Sequence, residues 1–484
     1  MATKYSASPR PRDDQGITFI VLSFEGPDTY SHAGGLGSRV TELVNALSNT
    51  GFETHLFFVG DPNLPGHESL KKGKLHFHRW CQWISRYHPG GVYDGEEGKL
   101  YDWERSLPEW LAKEMLEPGV SRGESFIIIG EEWQTVNSML ALNQIVQKRG
   151  WHKLVHLLWN ANNTFSFHRI DWDLLKKAVT ITTVSRFMKH IMKDMGVEAR
   201  VIPNGISEKW LKPIDQKARY SLSEMFQGRL SLVKAARWDI DKRWDIAVDA
   251  VAELKHFALK PLFLARGGHG DQREEIMRRV ERHKLDVVSV NWKGTGADTL
   301  IEAIRPALNA DMIDMQGYLS FAQRRALFNA ASAVLANSGI EPFGLVGLET
   351  MAVGGIAFVG CTGEDYATPG YDTISIQTDN PWEVVYHAVC LESSKEYADK
   401  IRQAAKQTVE HYTWKSVIRR VLLPFLQEIG VRFSYMPEVL IPAAALPKLE
   451  EKVAAYEKKS AEREKAGKKP LKRHRSEKIL ESRI

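Results

Sequence analysis

Short apolar runs alternate with amphipathic stretches over most of the chain, and that rhythm predicts its elements. Residues 17–24 (Ile-Thr-Phe-Ile-Val-Leu-Ser-Phe) read as a buried strand. A Gly-rich turn follows at Ala33-Gly-Gly-Leu-Gly, then an amphipathic helix over 38–50 and a second strand at Glu53–Val59. Further strands are expected over 125–129, 154–158, 180–184 and 199–202, with helices between them. Pro203-Asn204-Gly205 signals a turn, and the looser stretch over 206–227 reads as a linker. A second strand–helix series starts at Leu230 and continues through strands at 261–266, 311–316, Ala333–Ala336, Ala357–Val359 and 373–376. Strands that alternate with helices form parallel sheets covered on both faces. The pattern therefore predicts two doubly wound α/β domains, 17–205 and 228–410, facing a cleft beyond the carboxyl ends of their strands.

The flanks break this pattern. Residues 1–16 are polar and read as a disordered leader, whereas 447–484 form a charged tail, disordered or helical. The tail holds 13 Lys/Arg and 7 Asp/Glu, which leaves 52 and 53 for the rest of the chain, out of totals of 65 and 60. The net charge of +5 thus belongs to the tail. A neutral body argues against a nucleic-acid binder, and the tail is open to contact with an anionic surface or a partner. No apolar run reaches the ~18 residues of a membrane span, and no signal peptide is visible. Cys81, Cys361 and Cys390 lack metal or disulfide spacing and are expected as free thiols, consistent with a cytoplasmic protein. Residues 75–111 interrupt the first domain with Trp80, Trp83, Trp103, Trp110, Tyr87, His88, Tyr93 and Tyr101. Such a loop over the cleft would offer aromatic faces to an acceptor sugar, or anchor a long insertion by packing.

Three segments carry candidate chemistry. Glu341-Pro-Phe-Gly-Leu-Val-Gly-Leu-Glu349 sets two carboxylates eight residues apart around a turn that opens a helix. Backbone amides at Phe343, Gly344 and Leu345 would meet an anion at the helix start. Glu349 would reach a polyol on one side of that anion and Glu341 one on the other, as a nucleotide sugar requires. Arg237 and Lys242 stand five residues apart after the first strand of the second domain. There a bidentate fork and a mobile point charge would hold a diphosphate. Gly34 and Gly35, in Ser31-His-Ala-Gly-Gly-Leu-Gly37, allow close backbone approach to a phosphate or sugar.

These segments resemble the Glu-x7-Glu, Arg-x4-Lys and Gly-Gly-Leu-Gly motifs of retaining GT-B glycosyltransferases, family 4, and glycogen synthases in particular. Gly130-Glu-Glu-Trp-Gln-Thr135, Thr183-Val-Ser-Arg186 and Val201-Ile-Pro-Asn-Gly-Ile206 extend the similarity. The resemblance implies two Rossmann-like domains and helices over 411–446 that cross back to the first. It implies transfer of a hexosyl, and in particular glucosyl, group with retention from a UDP-, ADP- or GDP-sugar to a hydroxyl acceptor, such as an α-glucan. By the same resemblance Arg237 and Lys242 stabilise the leaving diphosphate, Glu341 contacts the sugar and Glu349 the ribose, without a metal or a separate cofactor. Two positions depart from the pattern: His32 stands where bacterial glycogen synthases commonly have Lys, and Trp159 where a donor-site His is usual. His156 and His168 are nearby in sequence, and His168 is the candidate to face the cleft. A glycosidase, a GT-B sugar-nucleotide epimerase and a silent nucleotide-sugar scaffold remain open alternatives at this point.

Overall fold

The computed structural model describes residues 16–433. Apart from Gly16, the expected leader and the basic tail lie outside the described residues. Eight strands make the first sheet: β1 (Ile17–Leu22), β2 (Glu53–Val59), β3 (His67–Leu70), β4 (Leu75–Trp80), β5 (Ser125–Glu131), β6 (Val155–Ala161), β7 (Thr180–Thr183) and β8 (Arg200–Val201). Their order is β3-β4-β2-β1-β5-β6-β7-β8. All pairs are parallel except β3 with β4. The second sheet holds β9 (Leu230–Arg237), β10 (Pro261–Gly268), β11 (Val287–Val290), β12 (Met312–Met315), β13 (Ala333–Ala336), β14 (Ala357–Val359) and β15 (Ile374–Ser375). Its order, β11-β12-β10-β9-β13-β14-β15, is parallel throughout.

Two expectations change. The aromatic segment 75–111 is not a loop: it supplies β4, a short helix Gln82–Ser85 and a sixteen-residue helix Glu96–Leu111. Trp103 and Leu107 on that helix are fully buried, so this face packs on the sheet, whereas Trp83, Tyr87 and Tyr101 remain exposed. The stretch 206–227 carries the helix Gln216–Met225, whose Ala218 and Leu222 are buried in the core. Asp215 caps that helix by accepting from the amide of Lys217, a local signal that a linker does not need.

The chain returns to the first domain after the second. Ile206 and Thr413 pair side by side, with the Trp414 amide donating to the Ile206 carbonyl at 3.0 Å and the Ile206 amide to that of Tyr412 at 2.9 Å. A Cβ at Gly205 would lie 2.7 Å from the Trp414 backbone nitrogen, so the close approach of the two connections requires glycine there. Helical segments from Trp414 to Glu428 then bury Trp414, Val417, Ile418 and Leu422 against Val40, Leu43 and Leu47 of the helix Gly35–Thr50. A π-turn over Ile418–Leu422 precedes Pro424, which has no amide to donate into a regular ladder.

Arg39 joins these pieces. It is buried on the first helix, donates to both Glu131 oxygens (3.1–3.3 Å), and reaches Asn204 in the outgoing connection. Its guanidinium lies 5.4 Å from the centre of the Trp414 ring. Truncation of Trp414 to Ala is expected to cost roughly 3–5 kcal/mol, as for other buried aromatics. Denaturant midpoints of the two proteins check this; an unchanged midpoint would mean that the crossover does not fasten the first domain.

Candidate functional site

The second-domain half of the cleft is built by three strand exits. β9 ends at Arg237, and Lys242 follows within a short turn. Its Nζ lies 2.9 Å from Glu341 Oε2 and 3.2 Å from Asp241 Oδ2. Burial pulls the Lys242 ammonium down, but the carboxylates of Glu341 and Asp241 outweigh it and raise its pKa above the ordinary lysine value. Arg237 is two-thirds exposed and pairs with Asp239 at 2.7 Å, so its fork is open to the cleft solvent. Below them Lys234, fully buried on β9, donates to Asn337 Oδ1 at 2.7 Å and to the Leu335 carbonyl at 3.2 Å. Burial, then the Lys242 charge, brings its pKa down to about 7.

After β13 the chain reaches Glu341, Pro342, Phe343 and Gly344, and then the helix Leu345–Ala352. Gly344 takes φ 75°, ψ 62°, and a Cβ there would lie 3.0 Å from Glu364 and 3.2 Å from Glu341. Both the left-handed backbone and the crowding select glycine. Phe343 is 2% exposed and packs edge-on against Tyr366, whose hydroxyl donates to the Gly344 carbonyl at 2.5 Å. The turn is thus fastened from behind, and the first amides of the helix have no intrahelical acceptor.

Glu364, which the sequence reading missed, lies behind Glu341. One of its oxygens accepts from the Thr362 amide at 3.1 Å; the other is buried without a partner among the described residues. Burial, and then the Glu341 charge, pushes Glu364 up to about 7. The glycines of Val359-Gly360-Cys-Thr-Gly363-Glu364 were the available signal. A Cβ at Gly363 would lie 2.1 Å from the Pro342 carbonyl, and the Gly363 amide donates to the Glu341 carbonyl at 2.8 Å. Glu349 sits one turn into the helix. Arg324 holds it at 3.2 Å, and burial raises its pKa. Glu42, from the first domain, is pushed up to about 7 by burial and then by the charge of Glu349. The two domains also meet where the Arg186 amide donates to Asp365 Oδ2 at 2.7 Å.

The first-domain half differs from the phosphate cradle expected at the Gly-rich turn. The amides of Ala33, Gly34 and Gly37 already donate to Glu25 Oε2, at 3.2, 2.9 and 2.9 Å, and Tyr93 donates to Oε1 at 2.8 Å. An external phosphate on the Gly34 amide would have to displace that carboxylate. A Cβ on Gly35 would enter open space, whereas one on Gly37 would lie 2.7 Å from His32 Nδ1, so Gly37 serves packing. Trp159 does not line the cleft: it is fully buried, donates to the Glu132 carbonyl at 3.0 Å and packs edge-on against Trp172. His168 is exposed on a short turn.

Glu132 is the strained residue of this half. Its backbone sits at φ 66°, ψ 169°, a region nearly reserved for glycine that costs roughly 1–3 kcal/mol. Burial pushes its carboxyl up to about 8, against the hydrogen bond it accepts from the Asn162 amide at 2.7 Å. A cavity of about 470 Å³ lined by Arg219, Arg402 and Lys406 lies elsewhere in the second domain and includes none of these residues.

Two doubly wound α/β domains, with sheets of eight and seven strands, make the GT-B fold. Residues 225–408 match the model of the family described as glycosyl transferases group 1. No curated protein matches the chain in sequence. In structure it is similar to sucrose-phosphate synthase from Thermosynechococcus elongatus, at 16% identity and TM-score 0.61, over 85% of this chain and 99% of that one. The catalytic domain of starch synthase IV from Arabidopsis thaliana, bound to ADP and acarbose, matches at 13% identity and TM-score 0.59, over 86% and 99%. Anabaena Alr3699/HepE with UDP-glucose matches at 13% identity and TM-score 0.56, over 85% and 99%. At such identities the likeness establishes the shared fold.

The raised carboxyls give a pH signature. Native Glu132 keeps its proton up to about pH 8, whereas the unfolded carboxyl loses it near 4.5. The native state therefore binds more protons in between, and stability falls as pH rises through that window. Unfolding midpoints at pH 5 and 8 are expected to differ less in Glu132→Gln than in wild type; equal differences would mean that Glu132 ionises normally.

Proposed function

We propose that the protein transfers a glucosyl group, with retention at the anomeric carbon, from a nucleoside diphosphate sugar to a hydroxyl of a carbohydrate acceptor, an α-glucan among the candidates. The observation that carries this reading is the 2.9 Å pair of Lys242 and Glu341 beside the Gly344 turn. A cation, a sugar-facing carboxylate and a helix N-terminus converge there, within the stretch matched by the family model.

In this reading the amides at Phe343, Gly344 and Leu345 bind the diphosphate, Glu349 holds the ribose hydroxyls, and Glu341 holds the sugar hydroxyls. The sugar extends toward the open surface at Gly34 and Gly35. As the bond between the anomeric carbon and the diphosphate oxygen breaks, the departing oxygens gain charge. Lys242 and Arg237 neutralise that charge in a cleft from which closure expels water. The acceptor hydroxyl attacks from the same face and passes its proton to the departing diphosphate oxygen, so the proton and the leaving group balance without a side-chain base. These cations take the role that a metal fills elsewhere, so transfer proceeds in the presence of chelator. The choice of glucose and of a glucan draws on the sugars and nucleotides named for the structural neighbours. The exposed faces of Trp83 and Tyr87 suit an acceptor's sugar rings.

The direct test follows nucleotide release from UDP-, ADP- and GDP-glucose with and without an α-glucan. At least one donor is expected to be consumed only when acceptor is present, and the product anomer, read by NMR, is expected to match the donor. Lys242→Ala is expected to lower kcat by about 10²–10³-fold, the size seen when a charge-stabilising donor is removed. Glu349→Gln is expected to raise the donor KM. If no donor is bound or consumed, or Lys242→Ala turns over at the wild-type rate, the reading is wrong.

A further inference from the structure

The outer edge of the first sheet carries a histidine cluster that the transfer chemistry does not use. β2 pairs with β4 so that His55 stands opposite His76, and β3 pairs with β4 so that His67 stands opposite His78. Alternation along each strand then puts Glu53 and His55, His76 and His78, and His67 on one face. The opposite face of β4, with Leu75 and Phe77, is the one packed in the core beneath the helix Gly35–Thr50. The rings of His55 and His76 stack at 4.4 Å, and those of His67 and His78 lie 4.7 Å apart.

One ligand atom from each of Glu53, His55 and His76 lies within 4.8 Å of the other two. His55 Nε2 and Glu53 Oε1 stand 3.3 Å apart, as do His67 Nε2 and His76 Nδ1. A tetrahedral ion with bonds of about 2.0–2.1 Å separates its ligand atoms by about 3.3 Å, so these pairs already have the required spacing. The remaining nitrogens are oriented. His55 Nδ1 is 3.0 Å from His78 Nε2, and His76 Nε2 is 3.0 Å from the Gly73 carbonyl. That second layer of hydrogen bonds is what fixes metal-ligating imidazoles in the correct tautomer. Glu53 is half exposed and His67 exposed on the edge strand, so an ion has an entry path.

We propose that Glu53, His55 and His76 bind one transition-metal ion of the Zn²⁺ class, with His67 or a water as the fourth ligand. The donor set, imidazole with one carboxylate, favours such an ion over Mg²⁺ or Ca²⁺. Glu53 begins β2, so the site lies at the amino ends of the strands, away from the cleft, and its role is to tie β2 to β4 at the sheet edge. The sequence reading found no metal cluster because the ligands come from separate strands and meet only through register; Glu53-x-His55 and His76-x-His78 were the local signs.

The test titrates the untagged full-length protein, after chelator treatment, with Co²⁺ and then Zn²⁺. One equivalent of Co²⁺ is expected to give tetrahedral visible absorption that Zn²⁺ removes, and Zn²⁺ is expected to raise the unfolding midpoint. Glu53→Gln, at a half-exposed position that leaves the fold intact, and His76→Asn are each expected to weaken binding by at least about tenfold. Absence of cobalt absorption and of any Zn²⁺-dependent midpoint shift in wild type would overturn the proposal. So would wild-type affinity in a protein carrying both Glu53→Gln and His76→Asn.

Discussion

The buried Arg39–Glu131 pair is the constraint on which the two-domain arrangement rests. Its guanidinium binds the end of β5 through Glu131, the outgoing connection through Asn204, and the returning helix through the face of Trp414. A buried ion pair contributes little net stability when compared with apolar packing, yet removal of one partner leaves an uncompensated charge that costs several kcal/mol. Asn160 and Asn162 complete the pair by donating to Glu131 Oε2, and Thr182 donates to Asn160 Oδ1. The network therefore holds both interdomain connections in one register, and the cleft inherits its geometry from them.

Within the cleft the charges are arranged for exchange rather than rest. Lys242 is satisfied by Glu341, whereas one buried oxygen of Glu364 has no partner among the described residues. In the proposed reading an arriving diphosphate competes with Glu341 for the ammonium and frees the carboxylate for sugar hydroxyls. On this account the ion pair is a placeholder for donor, in the same way that Glu25 fills the Gly-rich turn on the opposite side. Burial pushes Glu42 and Glu364 up to about 7 and raises Glu349 in the same direction, which eases the crowding of acids there.

Much of the fold was legible because buried parallel strands leave continuous apolar runs. β13 and β14 coincide with the expected Ala333–Ala336 and Ala357–Val359, and most other strands were found with shifted ends. β3, β4 and β11 were missed: His67–Leu70 alternates exposed and half-buried positions, and Val287–Val290, though apolar, is only four residues long and interrupted by Ser289. The helix Glu96–Leu111 was read as loop because its buried face includes Lys99, which bonds carbonyls at Gly91, Val92 and Asp94 instead of reaching solvent. At the site, Lys242, Glu341 and Gly344 were visible because turn chemistry and charge are local. Glu25, Glu132 and Glu364 were not, because their roles come from tertiary contacts and, for Glu132, from a backbone strain that no local pattern announces.

The most direct measurement is a crystal structure of the protein with a nucleoside diphosphate bound. The diphosphate oxygens are expected within hydrogen-bond distance of the Gly344 and Leu345 amides, with Lys242 Nζ moved from Glu341 onto the phosphate and Glu349 on the ribose. A diphosphate seated on the Gly34 turn in place of Glu25, with the Lys242–Glu341 pair intact, would contradict the account.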